Sequence, residues 1–145
     1  MENLLISACL LGVYCKYDGG TNTQPAESLN KLRAKYRLIP VCPETASGLP
    51  CPREPSERVP GGVIGHSGAD VTAEFEKGGE TALKLARRFG CKLALMKERS
   101  PSCGSGRIYD GSFSGVTVPG DGVATEKLKA AGIKVYGESE INKLV

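Results

Sequence analysis

The chain has no tryptophan, two methionines and a single histidine, and aromatic residues make up 6% of its 145 positions. The scarcity of histidine bears on metals. A zinc site usually draws on histidines or a full set of four cysteines in tetrahedral geometry, and the one histidine, His66, stands alone in a loop-like stretch. Taken by itself, His66 reads as a surface residue. Charge of one sign is also lacking: 19 Lys and Arg against 16 Asp and Glu leave a formal net charge of +3. Those cations are scattered, without the electrostatic footprint of a phosphate-tracking protein, so no stable nucleic-acid partner is expected. Long apolar runs are missing as well. The segment from Leu4 to Val13 is broken by Ser7 and falls far short of a membrane span, and Met1-Glu2-Asn3 lacks the basic start of a secretory signal. The expectation is a cytoplasmic protein with no membrane association, acting on a small or weakly charged ligand.

Cysteine, by contrast, is plentiful. Six thiols in a secreted chain of this size would read as three disulfides, whereas in a reducing cytoplasm they point to metal binding or thiol chemistry. The length suits one hydrophobic core, hence a single domain over residues 1–145.

Leu4 to Cys9 is a short apolar run of the kind that forms a strand buried on both faces, followed by a loop at Gly12 and Asp18-Gly19-Gly20. Leu29, Leu32 and Tyr36 recur at helical spacing within a helix from Pro25 to Arg37. Leu38 to Cys42 gives a second strand, which Pro40 weakens unless the strand lies near an edge or ends there, because proline donates nothing to a ladder. Residues 43–70 are rich in proline and glycine without helical period and read as a long functional loop.

Asp70 or Thr72 caps a helix reaching Phe89, with Phe75, Ala82, Leu83, Ala86 and Phe89 inward and a break at Gly78-Gly79. Lys92 to Lys97 is a third strand, and Ser100 to Gly104 a turn. A ribbon at 108–118, a helix over Ala124–Ala131, a strand at Ile133–Tyr136 and a short helix capped by Ser139 complete the chain. Strands alternating with crossover-length connections argue for an α/β fold: a Rossmann-like parallel sheet with helices on both faces.

In such sheets ligands bind at the carboxyl ends of the strands. Cys9 and Cys42 close the first two strands and Cys103 lies beyond the third, so three thiols distant in sequence reach one edge. Cys91 precedes the third strand and falls at the other edge, as a small buried hydrophobe. Cys15 and Cys51 lie in loops on the same side as the three, and spacing does not choose between ligand, spare thiol and nucleophile. No ferredoxin-type run or paired CxxC motif is present, so at this level an iron-sulfur carrier, a zinc-stabilised binding module and a thiol enzyme using Cys103 all stand.

The segments Ser7-Ala8-Cys9-Leu10-Leu11-Gly12, Tyr17-Asp18-Gly19, Val41-Cys42-Pro43-Glu44, Gly48-Leu49-Pro50, Pro52-Arg53 and Ser100-Pro101-Ser102-Cys103-Gly104 together resemble the thiouracil desulfidase family, over essentially the whole chain. The resemblance implies a 4Fe-4S cluster on three cysteines, matching Cys9, Cys42 and Cys103, with one iron left open to a substrate sulfur. It further implies catalytic roles for a glutamate and a serine, matching Glu44 and Ser100. Ser102, Gly104, Asp18 and Arg53 are candidate substrate contacts. Two departures stand out: Cys51 occupies a position where the family pattern leads one to expect another residue, and Cys15 is not a fixed position; either is a candidate to cap the open iron. Relatives acting on thiolated transfer RNA carry an additional domain, so the implied substrate is a free thiolated base such as 2-thiouracil, converted to uracil and sulfide without net redox change.

Overall fold

The computed structural model describes residues 1–145. In chain order the elements are β1 (Glu2–Ser7), α1 (Ala26–Lys35), β2 (Tyr36–Val41), α2 (Pro43–Ala46), β3 (Ser56–Val59), β4 (Gly62–Gly65) and α3 (Thr72–Arg88). There follow β5 (Leu93–Met96), β6 (Arg107–Tyr109), β7 (Thr117–Pro119), α4 (Val123–Ala130) and β8 (Lys134–Gly137), with 3-10 turns at Ala8–Leu11 and Glu138–Lys143.

The four strands β2, β1, β5 and β8 form, in that order, one wholly parallel sheet. In β1 the side chains of Leu4, Leu5 and Ile6 are all fully buried, because each face of the strand meets a helical layer. Leu5, Ala94 and Met96 pack with Ala82, Leu83 and Ala86 of α3 and Ala124 and Leu128 of α4. On the other face Leu4, Ile6 and Leu95 meet Leu29 and Leu32 of α1 and Ile141 and Leu144 near the carboxyl terminus. Each leucine, isoleucine or methionine side chain fully removed from water here stabilises the fold by about 1.5–3 kcal/mol. Helices thus cover both faces, as the Rossmann-like expectation required. β2 is an edge strand, which explains how Pro40 is accommodated within it.

Several expectations are corrected. Residues 43–70 are not one open loop: they hold α2 and the antiparallel hairpin β3–β4, whose four-residue strands are too short to leave a clear period in the sequence. Gly78-Gly79 does not break α3. A Cβ on Gly78 would overlap the Pro43 carbonyl oxygen, so the glycine lets α3 lie directly on α2. Phe89 is exposed because it follows the last turn of α3 instead of continuing its inward stripe. Asp70 accepts the Thr72 N–H at 2.9 Å and so fastens the start of α3. Ser139 caps nothing: its N–H and hydroxyl both donate to the Glu98 carboxylate. The last helix is a 3-10 segment, and the first ends at Lys35, leaving Tyr36 to open β2.

The chain leaves β1 toward β2 on one side, then returns to β5 on the other side of β1. Strand order therefore reverses between β1 and β5, and the crevice beyond their carboxyl ends is where such sheets bind ligands. No helix is long and apolar enough to cross a membrane.

Candidate active site

A cavity of about 640 Å³ opens at this edge, within the roughly 300–1,000 Å³ common for small-molecule sites. Cys9, Cys42 and Cys103 all line it, as do Glu44, Arg53, Ser100 and Ser102. The three cysteines reach it from three different strand ends, those of β1, β2 and, across a turn, β5. β1 stops at Ser7, two residues sooner than the sequence suggested, and the 3-10 turn that follows carries Cys9 into the cavity. Cys42 ends the extended backbone of β2, and Pro43 starts α2 at once, so Glu44 falls in the first helical turn beside it.

The Cys103 turn is held by its serines. Ser100 Oγ accepts the N–H groups of Ser102 (3.1 Å) and Cys103 (3.0 Å), and the Ser100 carbonyl accepts Gly104 N–H at 2.9 Å. Arg99, immediately before, adopts φ +64°, a left-handed conformation unusual for a residue with a side chain. Behind the turn, buried Thr125 of α4 donates its hydroxyl to the Cys103 carbonyl at 2.8 Å.

Glu44 is fixed on both oxygens. Arg53 pairs with Oε1 through Nε at 3.1 Å and its terminal nitrogen at 3.0 Å, and Ser102 Oγ donates to Oε2 at 2.7 Å. Arg53 also donates to the Cys15 carbonyl at 3.0 Å, tying the loop after β1 to the carboxylate. Ser102 Oγ lies 3.0 Å from Ser100 Oγ and 3.5 Å from Cys103 Sγ, so one serine links the carboxylate, the second serine and a thiol.

The thiols differ electrostatically. Cys42 is lowered to about 6, chiefly because the Cys15 thiol donates to its sulfur, with Thr45 adding to the effect. Cys9 is lowered mainly by the same Cys15 thiol, against the cost of its burial, and the Asn22 amide helps by donating to Cys9 Sγ at 3.4 Å. Cys15 is raised, since it keeps its proton to serve Cys42 and Cys9. Cys103 is pushed up to about 12 by burial, which the hydroxyls of Ser7 and Ser102 only partly offset. No three His, Cys, Asp or Glu side chains converge as a single-ion site. Thiols spread around a cavity fit a polynuclear group, in which each thiolate meets its own iron, better than one tetrahedral ion.

The structure also separates the two uncertain cysteines. Cys15 is buried and lines the cavity, whereas Cys51 is exposed and directs its thiol to the carbonyls of Tyr14 and Lys16 at 3.2 and 3.4 Å. Asp18 and Gly104 lie outside the cavity lining: Asp18 Oδ1 accepts Gly20 N–H at 2.9 Å, and Gly104 packs where a Cβ would meet the Ser100 carbonyl at 2.8 Å. Cys91 is buried in the core at the start of β5, at the opposite edge.

The family model of 2-thiouracil desulfurase matches residues 4–140. This chain belongs to the 2-thiouracil desulfurase family, a family of enzymes. It is 36% identical over 152 aligned positions to the uncharacterized protein YbbK of Bacillus subtilis (strain 168), covering 98% of this chain and 99% of that protein. Among solved structures it is similar to the 4Fe-4S-dependent thiouracil desulfidase TudS, with a TM-score of 0.94 at 47% identity over 99% of this chain and 95% of that one.

In this desulfurase-family chain, sequence reasoning missed several cavity residues. Asn22 reaches Cys9 from a polar stretch with no periodic signal. Ser7 is buried at the end of β1 and accepts Lys97 N–H at 2.9 Å. Glu57, Tyr109 and Phe113 line the cavity from the two hairpin regions, and His66, though exposed, lines it too.

Proposed function

We propose that the protein is a 4Fe-4S-dependent desulfidase that replaces the sulfur of a free thiolated nucleobase with oxygen, taking 2-thiouracil and water to uracil and hydrogen sulfide. Residues 1–145 act as one catalytic unit in the reducing cytoplasm. Cys9, Cys42 and Cys103 hold the cluster, each from its own strand end. When bound, the cluster supplies a soft Lewis acid that prefers a thiocarbonyl sulfur to a carbonyl oxygen.

The observation that carries this reading is a carboxylate clamped in a thiol-lined cavity: Glu44 sits between Arg53 and Ser102, and Ser102 touches Cys103. Glu44 takes a proton from water as the water oxygen bonds to the carbon bearing sulfur. The carbon–sulfur bond then breaks, sulfur leaves with its electron pair, the added oxygen gives up its remaining proton as the carbonyl forms, and both protons of the water, one of them returned by Glu44, end on the departing sulfur as hydrogen sulfide, so no electron is gained or lost overall. Ser102 and Arg53 fix the carboxylate throughout, which keeps the base at one place relative to the ring. Ser100 holds the Cys103 turn through two backbone N–H groups and its own hydroxyl to Ser102.

The test is anaerobic reconstitution with iron and sulfide, then incubation with 2-thiouracil and assay of uracil and sulfide. Equimolar products are the expected result, and a loaded protein that makes neither removes the assignment. One observation favours a second reading, an electron carrier with four cysteine ligands: Cys15 lies in the same cavity beside Cys9 and Cys42. Cys15→Ser decides between them. A desulfidase with three ligands keeps its iron and its turnover, whereas a carrier loses iron and its reversible redox signal.

A further inference from the structure

A soft site that recognises sulfur would accept any small thiocarbonyl compound, cyclic or not, so selection of a ring has to come from elsewhere in the cavity. The part of the cavity wall that the hairpin regions contribute carries such a feature. Phe113 and His66 both line it, and their rings meet edge to face with centroids 5.2 Å apart and planes at 75°. This is the arrangement that aromatic quadrupoles favour. It joins the residue just after the β3–β4 hairpin to the turn between β6 and β7, two segments that Glu57 of β3 also fastens together.

That turn is built with care. Phe113 adopts φ +56°, which L side chains rarely do. Glu57 of β3, itself buried, accepts the N–H groups of Gly111 (2.9 Å) and Phe113 (3.1 Å) on one oxygen. Gly111 lies so close to the hairpin that a Cβ would meet the Arg58 carbonyl at 2.9 Å. A strained aromatic residue, fastened by a buried carboxylate and aimed at a cavity, is where function is to be sought.

We propose that Phe113, paired with His66 and held in place by the Glu57 carboxylate, is the stacking wall that makes the site select a flat thiolated heterocycle over an acyclic thiocarbonyl compound. The inference rests on the desulfidase reading and names its specificity residue. Glu57 acts through the turn and is a positioning residue.

The test compares 2-thiouracil with thiourea on the cluster-loaded enzyme. Phe113→Leu keeps an apolar side chain and removes the ring face. The expected result is about a tenfold fall in the ratio of kcat/KM for 2-thiouracil to that for thiourea, about 1.4 kcal/mol, carried by KM more than by kcat. Glu57→Ala lowers the ratio in the same direction, and Glu57→Gln, which retains a carbonyl acceptor, restores most of it. An unchanged ratio in Phe113→Leu overturns the proposal, as does an equal loss on both substrates. Should Phe113→Leu fail to fold, exposed His66→Leu takes its place, and an unchanged ratio there overturns the proposal equally.

Equilibrium binding of 2-thiouracil by calorimetry separates the two levels of inference. A wild type that binds the ring without turning it over ends the desulfidase reading. The wall then stands if Phe113→Leu weakens binding about tenfold, and falls if it does not. A loaded wild type that does not bind the ring overturns both.

Discussion

Glu44 makes three close contacts through its carboxylate, two from Arg53 to one oxygen and one from Ser102 to the other. Replacement by glutamine preserves shape and removes the base. Glu44→Gln is expected to lower kcat by about 10²–10⁴-fold while the visible absorbance and iron content of the loaded protein stay near wild type, as general-base losses do. A variant that loses its iron instead would make Glu44 a structural residue. Cys91 shows what a thiol in this chain does without a site. Burial, then the nearby charge of Glu2, raises it from the usual 9.0. Above that value the unfolded chain has released this proton and the folded chain still holds it, so stability falls as pH rises. Chemical denaturation of the loaded protein at pH 7 and pH 10 is expected to show a smaller loss in Cys91→Ala than in wild type; equal losses would mean that Cys91 does not titrate with unfolding. The placement of most of these thiols was readable in the sequence because position relative to a strand end sorts them, Cys9, Cys42 and Cys103 after a strand and Cys91 before one, whereas the part proposed for Glu44 was legible only through the family resemblance. Cys15 and Cys51 had no such marker. Only the folded loop shows that Arg53 holds the Cys15 carbonyl, with Cys15 buried in the cavity wall, while Cys51 is exposed.

The elements themselves were legible where burial imposes a period long enough to see. α3 announces itself over seventeen residues, and β1 by an unbroken apolar run. The short elements were not legible, because α2, β3 and β4 have four residues each and take their form from tertiary contacts more than from propensity. The apparent conflict at Gly78-Gly79 is resolved at the same scale. Two glycines cost a helix about 1 kcal/mol each relative to alanine, and here they admit Pro43 on one side and the Lys127 side chain and Ala124 on the other. Gly78→Ala therefore improves helix propensity and still destabilises, because its Cβ would overlap the Pro43 carbonyl and push α2 away from α3. The expected cost is about 1–3 kcal/mol by urea denaturation, the range for overpacking a filled interior. Because Glu44 rides on α2, turnover should fall too. A neutral or stabilised Gly78→Ala would show that α2 docks loosely, and the fixed position of Glu44 would lose its foundation.

At the scale of the whole molecule, the three proposed ligands are separated by 33 and 61 positions in sequence and meet only because β1, β2 and β5 run parallel and end at one edge. A cluster held there binds the folded chain and finds no preformed site in the unfolded one, so loading stabilises the fold by mass action. The effect has an electrostatic side. Cys103 is buried deeply enough for its thiol to be pushed up to about 12 in the cluster-free protein, which means that the thiolate form is disfavoured there until a cation compensates it. Thermal unfolding under anaerobic conditions is therefore expected at a clearly higher Tm for loaded than for cluster-free wild type. The same comparison in Cys103→Ser should show a much smaller difference, and in Cys51→Ser one as large as wild type, since Cys51 points away from the cavity. If loading leaves the wild-type Tm unmoved while iron is demonstrably bound, the iron lies outside this crevice, and the proposed link between sheet edge and cluster fails with it.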